Sequence, residues 1–506
     1  MRPRHIAYII WTVIAVLAVI CWLVPENGIA FGKWTLHWAT LSEVLGIEKD
    51  STLSYADSTW LADMEDYEIA IDTTVVYTPP KHDLQPLQPK QELRDSMLRS
   101  IADSLAKATK APIQTAITSA KPNVTQPAEK TTTASRTTLS KVDTRQYLAT
   151  FYQALDSASM QPVRVVHYGD SQIEEDRITN ILRKHWQEKY GGGGVGLIPL
   201  HQTIPTRSIR QWLRMNGVRQ NAKGGPMRYM IYGPRSRRQQ SNDYGVMGQV
   251  AVMDDMLVSG SQEVVMHIEP TGKKAPHQQF SQIRLLANHV AGEVKCNDTT
   301  LAITPYQPTL LLGATDHCQI HLHGKGKVYG VSLETPVGVM VDNVPMRGCS
   351  GVIFTRINST SLSDYYRATN TRLIILQYGG NMIPQSKNKS TIDGYVTNLR
   401  TQINHLRVCA PQASILFIGP SDMSTRIDGK MTTYPLVPYL DQQLQQMALD
   451  EKIGYWSMYE AMGGMNSMVD WVGKGLAGSD YVHFTRVGAN KIGQMLYDWL
   501  MSYEQN

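Results

Sequence analysis

The chain is poor in the features that usually assign a function quickly. Its five cysteines, Cys21, Cys296, Cys318, Cys349 and Cys409, are scattered without any C-x-x-C spacing. That arrangement offers neither a disulfide framework nor a zinc ribbon. Charge of one sign is scarce as well. A net charge of +5 over 506 residues, with no basic run interleaved with aromatics, leaves no electrostatic footprint for nucleic acid. The glycine run at 191–194 is not followed by G-K-[ST], so it lacks the lysine and hydroxyl of a phosphate loop. In DHCQIHLHG, His317, His321 and His323 fall on one side of a strand and Cys318, Ile320 and Leu322 on the other. Imidazoles two apart on a strand can ligate a metal. With only Asp316 to accompany them, they read as a polar, glycan-facing surface, and no metal or cofactor is expected.

What is present begins with one uncharged apolar run, IAYIIWTVIAVLAVICWLV, at residues 6–24. About 20 helical residues span the hydrocarbon core of a bilayer. Arg2 and Arg4 favour a cytoplasmic N-terminus. A cleaved signal peptide is the rival, with a passable small-residue site at Gly28-Ile29-Ala30. The run exceeds the roughly 7–15 residues of a signal core, however. Ile20 before Cys21 also speaks against a lipoprotein. Residues 1–25 are therefore expected to be an uncleaved signal anchor in the bacterial inner (cytoplasmic) membrane, with the remainder in the periplasm or another extracytoplasmic space.

Residues 26–142 read as an extracytoplasmic segment and a linker. Trp, Leu and Tyr recur over 28–75, and from about 78 to 141 the composition turns to Pro, Thr, Ser, Ala, Lys and Gln. Such a stretch cannot bury enough apolar surface to order itself. Within it, Leu93, Met97, Ile101 and Leu105 form one narrow helical stripe, read as nascent helix because so short a helix is marginal alone.

Beyond residue 143 strands and helices alternate. YLATFYQALDSA precedes PVRVVHYGD, ITNILRKHWQEKY follows it, and LIILQYGG and ASILFIGP are each followed by a helical pattern. This predicts a parallel sheet sandwiched by helices. The block at 219–337 breaks the rhythm with short alternating strands, among them EVVMHIEP, CQIHLHG and KVYGVSLE. It reads as an inserted antiparallel β-sandwich, dividing the α/β domain into 143–218 and 338–506.

Four short blocks carry the chemistry: Gly169-Asp170-Ser171, VDNVPMRGCSG with Gly348, Gly379-Gly380-Asn381, and Asp480-Tyr481-Val482-His483. Each alone is ordinary loop chemistry. Their interest lies in order, and in the first and third falling at the carboxyl ends of strands, where α/β sheets bind ligands. An ester-cleaving serine needs a base, a carboxylate to orient that base, and donors for the oxyanion. Asp480 and His483 can meet one another and Ser171. The Ser171 N–H, the Gly348 N–H and the Asn381 amide can surround the oxyanion. Two nearby features have plainer readings. Glu174, Glu175 and Asp176 look like helix-start residues, since acids suit a helix N-terminus. Met458, Met462, Met465 and Met468 look like core or an adaptable loop.

In that order the four blocks resemble the SGNH (GDSL) hydrolases, over roughly 145–210 and 338–506. HYGDSQIEEDRITNILRKHWQEKYGGGGVGLIPL is similar to the opening of the peptidoglycan O-acetylesterases, which also carry a carbohydrate-binding-like sandwich between the first two blocks. The resemblance implies a flavodoxin-like SGNH sheet, Ser171 as nucleophile, His483 as base and Asp480 as its partner. Ser171, Gly348 and Asn381 would then form the oxyanion hole. Pro345 where glycine would be expected, Gln172 where some esterases have histidine, and Met382 where many have an acid are departures. The expected function is a membrane-anchored serine esterase removing O-acetyl groups from an envelope glycan, most simply peptidoglycan. The alternatives are an O-acetyltransferase working with a membrane acyltransferase partner, and a catalytically inactive glycan-binding protein.

Overall fold

A computed structural model describes residues 143–503, apart from 222–223, 234–237, 239–242, 254–262, 272–275 and 305–308, together with an antiparallel pairing of Ile29–Phe31 with Trp34–Leu36. The expected anchor at 1–25, the linker at 78–141 and the stripe at 93–105 lie outside the described residues. Among the described residues no helix is long and apolar enough to cross a membrane.

Five strands form an all-parallel sheet: β1 (Pro162–Gly169), β2 (Gly338–Pro345), β3 (Thr371–Gln377), β4 (Ser414–Ile418) and β5 (Gly454–Trp456), in the order β2-β1-β3-β4-β5. Seven of the eight positions of β1 are buried, as expected of a strand covered on both faces. The period of two divides its side chains. Val163 and Val165 join a core with α1 (Ala149–Asp156), α2 (Thr179–Tyr190) and α6 (Arg486–Met501). Val166 and Tyr168 join the opposite core with α3 (Ser359–Ala368), α4 (Lys389–Cys409) and α5 (Val437–Glu451). The strand order reverses between β1 and β3, so a crevice opens beyond their carboxyl ends. Gly169 of β1 lies opposite Gln377 of β3, and the chains leaving both strands emerge side by side.

The insertion is a sandwich of two antiparallel sheets. One runs in the order Thr309–Thr315, Phe280–Asn288, Gly326–Glu334, Gln249–Met253, Met227–Met230. The other runs Thr299–Ile303, Ala291–Cys296, Cys318–His323, Glu263–Pro270, Ile209–Met215, Val218–Arg219. Leu213, Met266, Ile320, Ile283 and Val331 are among the side chains filling the space between them. The sandwich starts earlier than the expected residue 219. Gly196–Ile198 pairs with Gly326–Glu334, and Ile209–Met215 pairs with Glu263–Pro270. IRQWLRM buries Ile209 and Leu213 and exposes Arg210 and Arg214, which is the alternation of a sandwich strand and not of a doubly covered one.

The run at 191–194 serves this junction. Gly192 has φ +110° and Gly194 φ +74°. A Cβ on Gly192 would stand 2.4 Å from the Val339 carbonyl oxygen, and one on Gly194 2.1 Å from that of Leu333. The chain leaving the sheet and the chain returning to it cross backbone against backbone, which only glycine permits. Buried charge secures the crossing. Arg164 of β1, 1% exposed, pairs with Asp342 of β2 at 2.8 Å and with Glu334 of the sandwich. Asp342 also accepts the Leu197 N–H at 2.7 Å and the Tyr365 hydroxyl at 2.6 Å.

Candidate active site

Asp170 ends the run from β1 by capping a short 3-10 turn, Ser171–Asp176, its carboxylate accepting the Gln172 N–H at 2.9 Å. This raises Ser171 at the lip of the sheet. Its Oγ lies 2.8 Å from Nε2 of His483. Nδ1 of the same ring lies 2.8 Å from Oδ2 of Asp480. The other oxygen of Asp480 accepts the backbone N–H groups of Val482 (3.0 Å) and His483 (3.1 Å). The loop curls this tightly because Tyr481 adopts a left-handed φ of 57°. Burial works against the Asp480 charge, but the His483 ring and the two backbone N–H groups outweigh it and hold the carboxyl below its ordinary pKa. An ionised Asp480 fixes the proton on Nδ1, leaving the Nε2 lone pair facing the serine hydroxyl.

Ser171, His483, Gly348 and Asn381 line one cleft. Gly348 sits in the left-handed turn after β2 (φ +72°). Asn381 lies in the turn Gly380–Met382 after β3. Its side-chain nitrogen donates to Oδ2 of Asp170 at 3.2 Å and to the Cys349 carbonyl at 3.1 Å. All five expected site residues therefore converge. Asp170 is the functional neighbour that sequence reasoning passed over. Its carboxyl, 5% exposed, touches both the serine turn and Asn381, and burial raises its pKa to about 6 against the opposing Gln172 N–H. The available signal was its place inside the first block.

The acidic run after Ser171 is not a helix start. Glu175 and Asp176 both have left-handed φ, 59° and 62°, and α2 begins only at Thr179. Each acid instead faces arginine. Glu174 makes a bidentate pair with Arg347 at 2.9 and 2.6 Å. Glu175 lies 3.5 Å from both Arg177 and Arg207, and Asp176 pairs with Arg183 and Ser208. Arg347 directly precedes Gly348, so its bridge to Glu174 ties the serine turn to the second block. Arg207 and Ser208 come from the insertion, which thereby grips the segment following the serine.

Of the three departures, Gln172 lines the cleft and braces the histidine loop by donating to the Val482 carbonyl at 2.7 Å. Pro345 ends β2 opposite Gly169, and Met382 is buried in the apolar core. Met458 lines the cleft while Met462 and Met468 are buried. Met465 is 65% exposed. His321 and His323 share a face of Cys318–His323, where the His321 ring meets Glu263 at 3.0 Å. His317 precedes that strand and meets Asp316 at 2.8 Å.

No family model and no curated protein matches the chain. Solved structures do. A peptidoglycan O-acetylesterase superposes with a TM-score of 0.58 at 21% identity, covering 72% of this chain and 99% of its own. A catalytic mutant of an acetylxylan esterase from Geobacillus stearothermophilus overlaps more narrowly, with a TM-score of 0.24 at 14% identity, covering 32% of this chain and 73% of its own. Both the reversed strand order and the extent of the first superposition lead to one assignment: the chain has the fold of the SGNH hydrolases.

Proposed function

We propose that this chain is a carbohydrate esterase that removes O-acetyl groups from a cell-envelope glycan, peptidoglycan first among them, through an acyl-serine intermediate. The observation that carries the reading is the continuous relay Ser171–His483–Asp480, with both contacts at 2.8 Å. Ser171 Oγ attacks the ester carbonyl while His483 Nε2 takes its proton. Asp480 stabilises the imidazolium and keeps the ring in place. The oxyanion enters between the Ser171 and Gly348 N–H groups and the Asn381 amide, which gives up one of its present acceptors. His483 then protonates the departing sugar oxygen, leaving acetyl-Ser171. Water activated by the same imidazole releases acetate and restores the serine.

The likeness in fold to a peptidoglycan O-acetylesterase supports the choice of glycan. The uncharged run at 6–24 supports a single-pass anchor that leaves the catalytic part outside the cytoplasm. The test is acetate release by the full chain from p-nitrophenyl acetate and from O-acetylated peptidoglycan. No acetate from either substrate would sink the esterase reading. Acetyl transfer to a glycan acceptor outrunning hydrolysis would convert it into a transferase, with a membrane acyltransferase as the expected donor partner. Recovery of the chain in the soluble fraction after cell breakage would remove the anchor.

A further inference from the structure

The cysteines show no pairing motif along the chain, yet the fold lays two of them side by side. Ala291–Cys296 and Cys318–His323 are antiparallel neighbours, with Ala291 opposite His323 and Lys295 opposite Gln319. Continued by one step beyond its last pair, that register brings Cys296 opposite Cys318. Lys295 and Gln319 face solvent, so both cysteines turn inward, where they are 4% and 3% exposed in the sandwich core. Directly opposed residues of an antiparallel pair have Cα atoms about 4.5–5.5 Å apart. That lies inside the window of roughly 4.4–6.8 Å that a disulfide spans. The structure holds both as free thiols. Their nearness also shows in acidity, since burial and then the neighbouring Cys296 push the Cys318 thiol up. Cys349 and Cys409 belong to a different core, in the α/β part.

We propose that Cys296 and Cys318 are a modification site, closing as a cross-strand disulfide when the chain meets a disulfide oxidant. One thiolate attacks the oxidant's S–S bond, forming a mixed disulfide and expelling one thiol. The second cysteine attacks the mixed disulfide and expels the other. Two protons and two electrons leave the protein, and one disulfide of the oxidant becomes two thiols. Exchange proceeds through the thiolate, which a buried apolar site suppresses, so the bond forms while the sandwich is still folding. It encloses residues 297–317, which carry Thr299–Ile303 at the edge of one sheet and Thr309–Thr315 at the edge of the other. One bond would therefore hold two edge strands against fraying, the local opening that exposed edges invite.

The experiment refolds the full chain with oxidised glutathione or with dithiothreitol, then denatures, alkylates and weighs it. Two fewer of the five cysteines should be alkylated after oxidised refolding, and digestion should yield the Cys296 peptide joined to that of Cys318. Cys296→Ser should leave every remaining cysteine alkylated. The oxidised chain should also melt higher than the reduced one, with slower amide exchange confined to 297–317. Full alkylation after oxidised refolding, or a bridge joining any other pair, would overturn the proposal. Both states of the wild-type chain decide this, whether or not the serine variant folds, and neither result depends on esterase activity.

Discussion

The parallel sheet and the inserted sandwich meet the same need, burying apolar surface, in opposite ways. Strands β1 and β3 are covered on both faces and must stop abruptly at their carboxyl ends, where the strand order reverses. That edge gathers Ser171, Gly348 and Asn381 within one cleft. In the sandwich, the sheet that holds Ile209–Met215 keeps one wet face, where Arg210 and Arg214 point outward beside buried Ile209 and Leu213, whereas Gly326–Glu334 and Gln249–Met253 of the other sheet are buried along most of their length. The sandwich's contribution to the site is indirect, through Arg207 and Ser208 gripping Glu175 and Asp176. Chemistry thus collects where chain topology leaves a crevice, and the second domain acts on it from the side.

The sharpest way to break that division is to remove the chemistry and leave the packing. Ser171→Ala should lower ester turnover by on the order of 10⁴–10⁶ while the thermal midpoint stays near wild type, and His483→Ala should cost about as much because the two act as a unit. The converse substitution is Leu213→Ala, deep in the sandwich core. It should cost about 2–5 kcal/mol of stability and leave turnover per folded molecule unchanged. Denaturant unfolding beside p-nitrophenyl acetate kinetics checks both. A Leu213→Ala protein that stays folded but loses turnover would show that the sandwich is part of the chemistry.

Asn381→Ala should reduce kcat by about 10²–10³ with little change in KM, as for other oxyanion donors. The Glu174–Arg347 bridge should count for less, about 10- to 100-fold in kcat, through misplacement of the serine turn relative to Gly348. Glu174→Ala and Arg347→Ala should cost the same, and the double variant no more than either. Costs that simply add would show that the bridge does not link the two blocks.

That bridge also marks where sequence reading stops. The doubly buried strands were legible because PVRVV is apolar apart from Arg164 and LIIL is apolar throughout. Asp480 and His483 were legible because they are three residues apart and meet through a local turn. Glu174 and Arg347 are 173 residues apart, and Asp170 and Asn381 are 211. Such pairings leave no periodicity to read. The acids of SQIEED imitate a helix start because they suit a helix dipole, yet two successive left-handed residues prevent a helix there. The early start of the sandwich was hidden for a related reason. IRQWLRM is visibly a strand, but its sheet is decided by a partner at Glu263–Pro270, more than forty residues on.

The smallest expected effect tests the residue that joins the serine turn to the oxyanion side. Asp170 has its folded pKa raised to about 6, mainly by burial, from an ordinary 3.8. Between those values the native state holds a proton that the unfolded chain releases. Stability from this group is therefore full below about pH 4 and falls as pH rises through about 6, by at most about 1.4 kcal/mol per pH unit. Asp170→Asn removes the titration, so unfolding measured at pH 4, 5, 6 and 7 should show a flatter curve than wild type. Asp441, whose pKa burial also raises to about 6, titrates in both proteins, and the difference curve isolates Asp170. The variant asparagine can still cap the Gln172 N–H through its oxygen. Its nitrogen then faces the Asn381 nitrogen, donor against donor, so Asn381 loses a partner and should be held less well. Turnover at pH 7 should fall a few-fold, carried by kcat. An unchanged kcat with the flattened stability curve would make Asp170 a capping residue alone and leave Asn381 held by Cys349.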